Sequence, residues 1–171
     1  MKKQDVARWL CHYKLNKYHE DIEPYRGRED EFHKLFKPYE VTEGEGNCLL
    51  NTGIDEIWDL ITGVVSGADH IYDNSHAQIG VGDSSAAADP SQTDLQAATN
   101  KTYKGMESGY PTSTSQKATF KSSFGNDEAN YAWNEWVVKQ STSAICPNRK
   151  VDSLGTKTSG TWTLEVSITL S

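Results

Sequence analysis

The sequence predicts a mainly β, sandwich-like fold with one amphipathic helix, a second short helix and an N-terminal extension. Three patterns carry that expectation. Trp162, Leu164, Val166, Ile168 and Leu170 alternate with Thr161, Thr163, Glu165, Ser167 and Thr169, which gives a strand with one apolar and one hydrated face. From Lys117 the period is again two, with Ala118, Phe120, Ser122 and Phe124 set against Lys117, Thr119, Lys121 and Ser123. Ile54, Ile57, Trp58, Ile61, Val64 and Val65 instead recur at helical spacing, with Asp55, Glu56 and Asp59 on the opposite side.

Residues Val6 to Leu15 fit both a helical and an alternating period, and the alternation of Trp9, Cys11, Tyr13 and Leu15 favours a strand. Asp21 to Glu31 holds Pro24 and Gly27 in a field of charge and reads as an exposed loop. Phe32, Leu35 and Phe36 then fit a helical turn ended by Pro38, and Tyr39 to Thr42 a returning strand. The helix is expected over Asn51 to Val65, capped by Asn51 or Thr52, with acidic residues in its first turn and Gly63 or Gly67 closing it. Its apolar face, Trp58 included, is expected in the core. Gln78 to Gly82 is a short strand candidate. Asp89-Pro90 has the form of a cap and first turn, predicting a short helix over Thr93 to Asn100. Gly125-Asn126-Asp127 separates the Lys117 strand from a run at Ala129 to Val138, and the two read as a hairpin. That second run carries aromatics on both faces, as a central, doubly covered strand does.

Two regions differ in kind. Residues 1–45 hold 9 basic and 10 acidic side chains and read as a charged extension or arm, while 46–171 are rich in Gly, Ser, Thr and Ala and read as the β-rich domain. Overall, 17 basic against 24 acidic residues give a net charge of −7, which disfavours nucleic acid and anionic lipid as partners. No stretch is apolar enough for a membrane span, and the start MKKQDVARWL lacks the apolar run of a secretory leader. Cys11, Cys48 and Cys146 are scattered and are expected as unpaired thiols.

No constellation points to catalysis, a metal or a cofactor. His70, Asp73 and His76 have ligand-type side chains but no second cluster to complete a coordination sphere. His12, His19 and His33 read as surface residues. Gly80-Val81-Gly82 lacks the third glycine of a dinucleotide fingerprint and reads as a tight turn. A hydrolase would need His70 or His76 to converge with Asp127, Glu128 or Glu135. The tryptophans offer a carbohydrate-binding module as another class, although Trp58, Trp133, Trp136 and Trp162 fall on predicted core faces. The aromatics left over, Trp9, Tyr13, Tyr18, Tyr25, Phe32 and Phe36, form the candidate protein interface, with a satellite core packed on the main sheet as the competing assignment.

Over about 125 residues the order of elements resembles short structural proteins of tailed bacteriophages. The segments are EGNCLLNTGIDEIWDLITG (45–63), IGVGDSSAAADPSQTDLQAATNKTYKGMESGYP (79–111), FGNDEANYAWNEWVV (124–138) and NRKVDSLGTKTSGTWTLEVSITLS (148–171). More distantly it is similar to the amino-terminal collar domains of phage tail fibres, in which a "VGDG" turn, a "DP-x-QT-x-L" helix start, a "W-x-x-x-E-x-G" strand and a "K-x-x-G-x-T-x-T" strand recur. Here Ser84 replaces the second glycine of the turn, Glu135 is followed by Trp136-Val137, and no fibre shaft follows Ser171. The resemblance implies a non-enzymatic virion protein, made in the bacterial host cytoplasm and carried in the particle. It implies partners that are copies of itself and other virion proteins: a tail, baseplate or fibre-attachment part, or else a capsid decoration protein on the major capsid lattice.

Overall fold

The computed structural model describes residues 7–171. Among these, ten strands form: β1 (Trp9–Tyr18), β2 (Glu40–Glu45), β3 (Cys48–Leu49), β4 (Ala77–Gly82), β5 (Lys101–Gly105), β6 (Thr112–Thr114), β7 (Lys117–Phe124), β8 (Ala132–Gln140), β9 (Asn148–Thr156) and β10 (Thr161–Leu170). Two helices, α1 (Glu29–Leu35) and α2 (Asn51–Thr62), and a 3-10 turn at Glu23–Tyr25 complete the fold. The strands make two five-stranded antiparallel sheets, ordered β2-β1-β10-β7-β6 and β3-β9-β8-β4-β5. The predicted mainly β sandwich is the observed architecture.

The alternating apolar rows face one another across the two sheets. Tyr13 and Leu15 of β1 and Leu164 and Val166 of β10 meet Ile79 and Val81 of β4 and Trp133 and Trp136 of β8. Trp133 stacks edge-on against both Phe124 and Trp162, with ring centroids 4.9 Å apart in each case. A register shift between Trp133 and Glu135 turns Trp133, Trp136 and Val138 to the same inner face, although Trp133 and Trp136 have opposite parity in a regular strand. Glu135 and Val137 therefore face outward, where the segment after β4 covers them. β8 is central and covered on both sides, as predicted.

Four expectations are corrected. β1 lies between β2 and β10, so residues 9–45 are no separable arm and the division at 45/46 falls inside the first sheet; Val6 lies outside the described residues. β7 and β8 belong to different sheets. Their connection is a corner, held by the Lys157 ammonium, which donates to the Gly125 carbonyl at 2.6 Å and to Asn130 Oδ1 at 2.8 Å. Burial pulls that ammonium down to about 8. Third, residues 93–100 are not helical, because side chains take the groups a helix would use. Glu135, wholly buried, accepts from the Gln96 and Ala97 amides at 2.9 and 2.7 Å and pairs with the equally buried Arg149 at 2.7 Å. Arg149 in turn donates to Gln92 and to the Ala86 carbonyl, both at 2.9 Å. The second helix is α1 instead, extending the predicted turn at Phe32 back to Glu29, within the segment expected as a loop. Finally, Gly80 and Gly82 are strand residues of β4, which bears out the strand expected at Gln78–Gly82 and overturns the tight-turn reading.

Candidate functional site

Helix α2 is attached to the sandwich by its small and polar side. Leu50, fully buried, stands at its N-cap, and the Leu50 amide donates to the Pro147 carbonyl at 3.0 Å. A Cβ at Gly53 would overlap the Pro147 backbone, so only glycine permits this approach. One turn further on, Glu56 is buried and meets His70 Nδ1 at 3.0 Å. Thr52 adds a hydroxyl donated to the Cys146 carbonyl at 3.2 Å. The helix closes at Gly63 in the left-handed conformation, as predicted, but begins at Asn51 with no side-chain cap and no acid in its first turn.

The consequence reverses the expected orientation. With Gly53 and Glu56 inward, most of the apolar stripe points out: Ile54 is 38%, Trp58 60% and Ile61 68% exposed, and Val64, just past the helix end, 72%. Trp58 is thus a surface residue and not core, whereas Trp133, Trp136 and Trp162 are buried as expected. Beneath the helix, Ile57 and Leu60 form one wall of an apolar groove of about 490 Å³. Trp9, Phe120, Ile168 and Leu170, at one end of the sandwich, form the other. The indole of Trp9 donates to Asn47 Oδ1 at 2.8 Å, which keeps that ring half-buried at the rim.

The six aromatics expected to form an interface are mostly spent inside the molecule. Tyr13 is 1% exposed in the main core, edge-on to Trp136, with its hydroxyl on Asp152. Tyr18 and Phe32 are buried with Ile22, and Tyr25 and Phe36 pack half-buried against them. This is the satellite core. Trp9 alone lines the groove. The exposed face of α2 was missed as a surface because helical period locates an apolar stripe without saying which surface covers it.

The other constellations are occupied by internal pairs. His76 meets Asp73 at 2.7 Å and His70 meets Glu56, so the two histidines of the His70, Asp73 and His76 set have separate partners; among the described residues, no three ligand-type side chains converge on one point. Glu128 pairs with Arg26 at 3.0 Å and also with Lys104, and Glu135 with Arg149, so these carboxylates and the two histidines have different partners. His33 is not a surface residue: it bridges Tyr18 at 3.1 Å and the buried Glu107 at 2.9 Å. Burial pushes the Glu107 carboxyl up, but the His33 hydrogen bond and the Lys121 charge outweigh it and hold it below the usual value. The three cysteines are unpaired; burial raises the Cys11 thiol to about 12 and Cys146 further, so neither is primed as a nucleophile. What the surface presents is a firmly seated helix with an exposed apolar face, beside an apolar groove. Comparison with family models, with curated proteins and with solved structures finds no match to this chain.

Proposed function

We propose that the chain is a non-enzymatic structural component of a tailed-phage particle, a tail, baseplate or fibre-attachment part, which holds a neighbour by burying the outer face of α2. The observation that carries this reading is the outward stripe of Ile54, Trp58 and Ile61, continued just past the helix end by exposed Val64, on a helix whose other side is pinned by Gly53 and Glu56. Contiguous apolar surface of this kind, edged by polar groups, marks contact sites, and a central Trp is the usual anchor of such contacts. Covering each large apolar side chain is worth about 1.5–3 kcal/mol, enough for three or four residues to dominate an interface. The phage setting is supported by the sequence resemblance in residues 45–63, 79–111, 124–138 and 148–171.

Quantitative mass spectrometry of purified particles tests the reading. The expected result is a copy number matching the rings or fibre mounts of one tail, together with loss of the protein from particles assembled with Trp58→Asp. A copy number following the capsid lattice gives the decoration role instead. Particles that lack the protein, or glycan binding by the isolated chain with no particle association, overturn the proposal.

A further inference from the structure

Charge is distributed unevenly around the candidate site. Between Lys37 and Lys101 there is no Lys or Arg, and the 63 residues from 38 to 100 hold 11 Asp and Glu. All 17 basic residues lie outside this stretch, alongside the remaining 13 acids. Helix α2 sits in the middle of it. Asp55 and Asp59 follow Ile54 and Trp58 by one position and line one edge of the apolar stripe, and Asp69 stands exposed just beyond the helix. None of the three makes an ion pair among the described residues, whereas Glu56 on the inner side is held by His70. Lys117 lies on the opposite wall of the groove, so the acidity belongs to the helix side.

From this we infer that the outer face of α2 takes a different protein that presents an apolar stripe flanked by Lys and Arg. The inference rests on reading α2 as the contact surface and adds the chemistry of what covers it. A second copy fits poorly, because α2 carries no Lys or Arg with which the facing copy could answer Asp55 and Asp59. Anionic lipid is repelled for the same reason. A basic-flanked stripe satisfies both features at once: its apolar residues cover Trp58, Ile61 and Val64, and its cations neutralise the carboxylates at the rim. Charges at a rim mainly set encounter rate and choice of partner, while the apolar centre sets how long the complex lasts.

The test uses the full chain and two synthetic amphipathic helices with the same leucine stripe, one flanked by lysine and the other by glutamate. Tryptophan fluorescence in a Trp9→Phe background reports binding through Trp58, since Trp9 is the other half-exposed indole and Trp133, Trp136 and Trp162 are buried. The lysine-flanked helix is expected to bind at least about tenfold more tightly at low salt, with the preference shrinking in about 1 M NaCl. Asp55→Asn/Asp59→Asn is expected to remove most of the preference while keeping residual binding, and Trp58→Ala/Ile61→Ala to abolish binding, followed by calorimetry. Equal affinity for the two helices overturns the inference, as does undiminished binding by Trp58→Ala/Ile61→Ala, or self-association that the same double variant abolishes. These outcomes are separable from the particle test. A protein present in particles with no charge preference sinks only the partner chemistry, and charge-selective binding by a protein absent from particles sinks only the phage assignment.

Discussion

The two ends of β1, about 30 Å apart, treat their apolar residues in opposite ways. At the Tyr18 end, the α1 segment turns Phe32 inward, where it is fully buried with Ile22 against the Tyr18 ring. At the Trp9 end, α2 turns Gly53 and Glu56 inward and leaves Trp58 and Ile61 in water. Both helices turn one side to the sandwich, Glu29 and Phe32 in α1 and Gly53 and Glu56 in α2. What differs is the receiving surface: an aromatic ring awaits α1, whereas α2 meets a proline backbone that admits only glycine and a histidine that matches a carboxylate. The orientation of an amphipathic helix is decided by the surface it lands on, and its own period states only that a stripe exists.

The sharpest way to break this contrast is to truncate one aromatic at each end. Phe32→Ala is expected to cost about 3–5 kcal/mol of stability by denaturant unfolding, from lost burial and the cavity left behind. A cost near zero would mean that the satellite core is not a core. A smaller effect sharpens the comparison through pH. The Glu107 carboxyl, which ties His33 beside that core to Lys121 on β7, titrates below its unfolded value near 4.5. Its contribution is therefore complete above that unfolded value and is lost as pH falls from there through the lower folded value. Melting temperature followed downward from neutral pH is expected to drop more steeply in the parent than in Glu107→Gln, which at neutral pH is less stable by about 1–3 kcal/mol. The smallest effect belongs to the other end: Trp58→Ala is expected to shift stability by no more than about 0.5 kcal/mol, as an exposed side chain with no internal partner does. A large loss there would place Trp58 in the fold and remove it from the contact surface.

The features that depend on local alternation were legible in the sequence. β10 follows its period without interruption, and aromatics on both sides of β8 announced a strand covered twice. Features decided at a distance were not. The Asp89-Pro90 signal marks a turn, with Asp89 Oδ1 accepting the Ser91 amide at 2.8 Å, but Glu135, some forty residues away in sequence, then claims the amides that a helix needed. Gly125-Asn126-Asp127 is as good a corner as it is a hairpin, and the choice was made by Lys157. Strands β5 and β9 carry weak alternation and were not foreseen. For the candidate site, the stripe on α2 was found correctly and placed on the wrong side, while four of the six aromatics chosen for the surface, Tyr18, Tyr25, Phe32 and Phe36, went to the satellite core.

The first and last described stretches of the chain are clasped together: the Arg8 amide donates to the Ser171 carbonyl at 2.6 Å, and the Ser171 amide returns a bond to Arg8 at 3.0 Å. Chain leaving either position thus sets off from one spot, beside Trp9 and Leu170. An affinity handle or fluorescent protein fused at either place would crowd the surface a capture experiment is meant to probe, whereas an insertion in the exposed Thr158–Ser159 loop, beside Tyr18 at the opposite pole, leaves it clear.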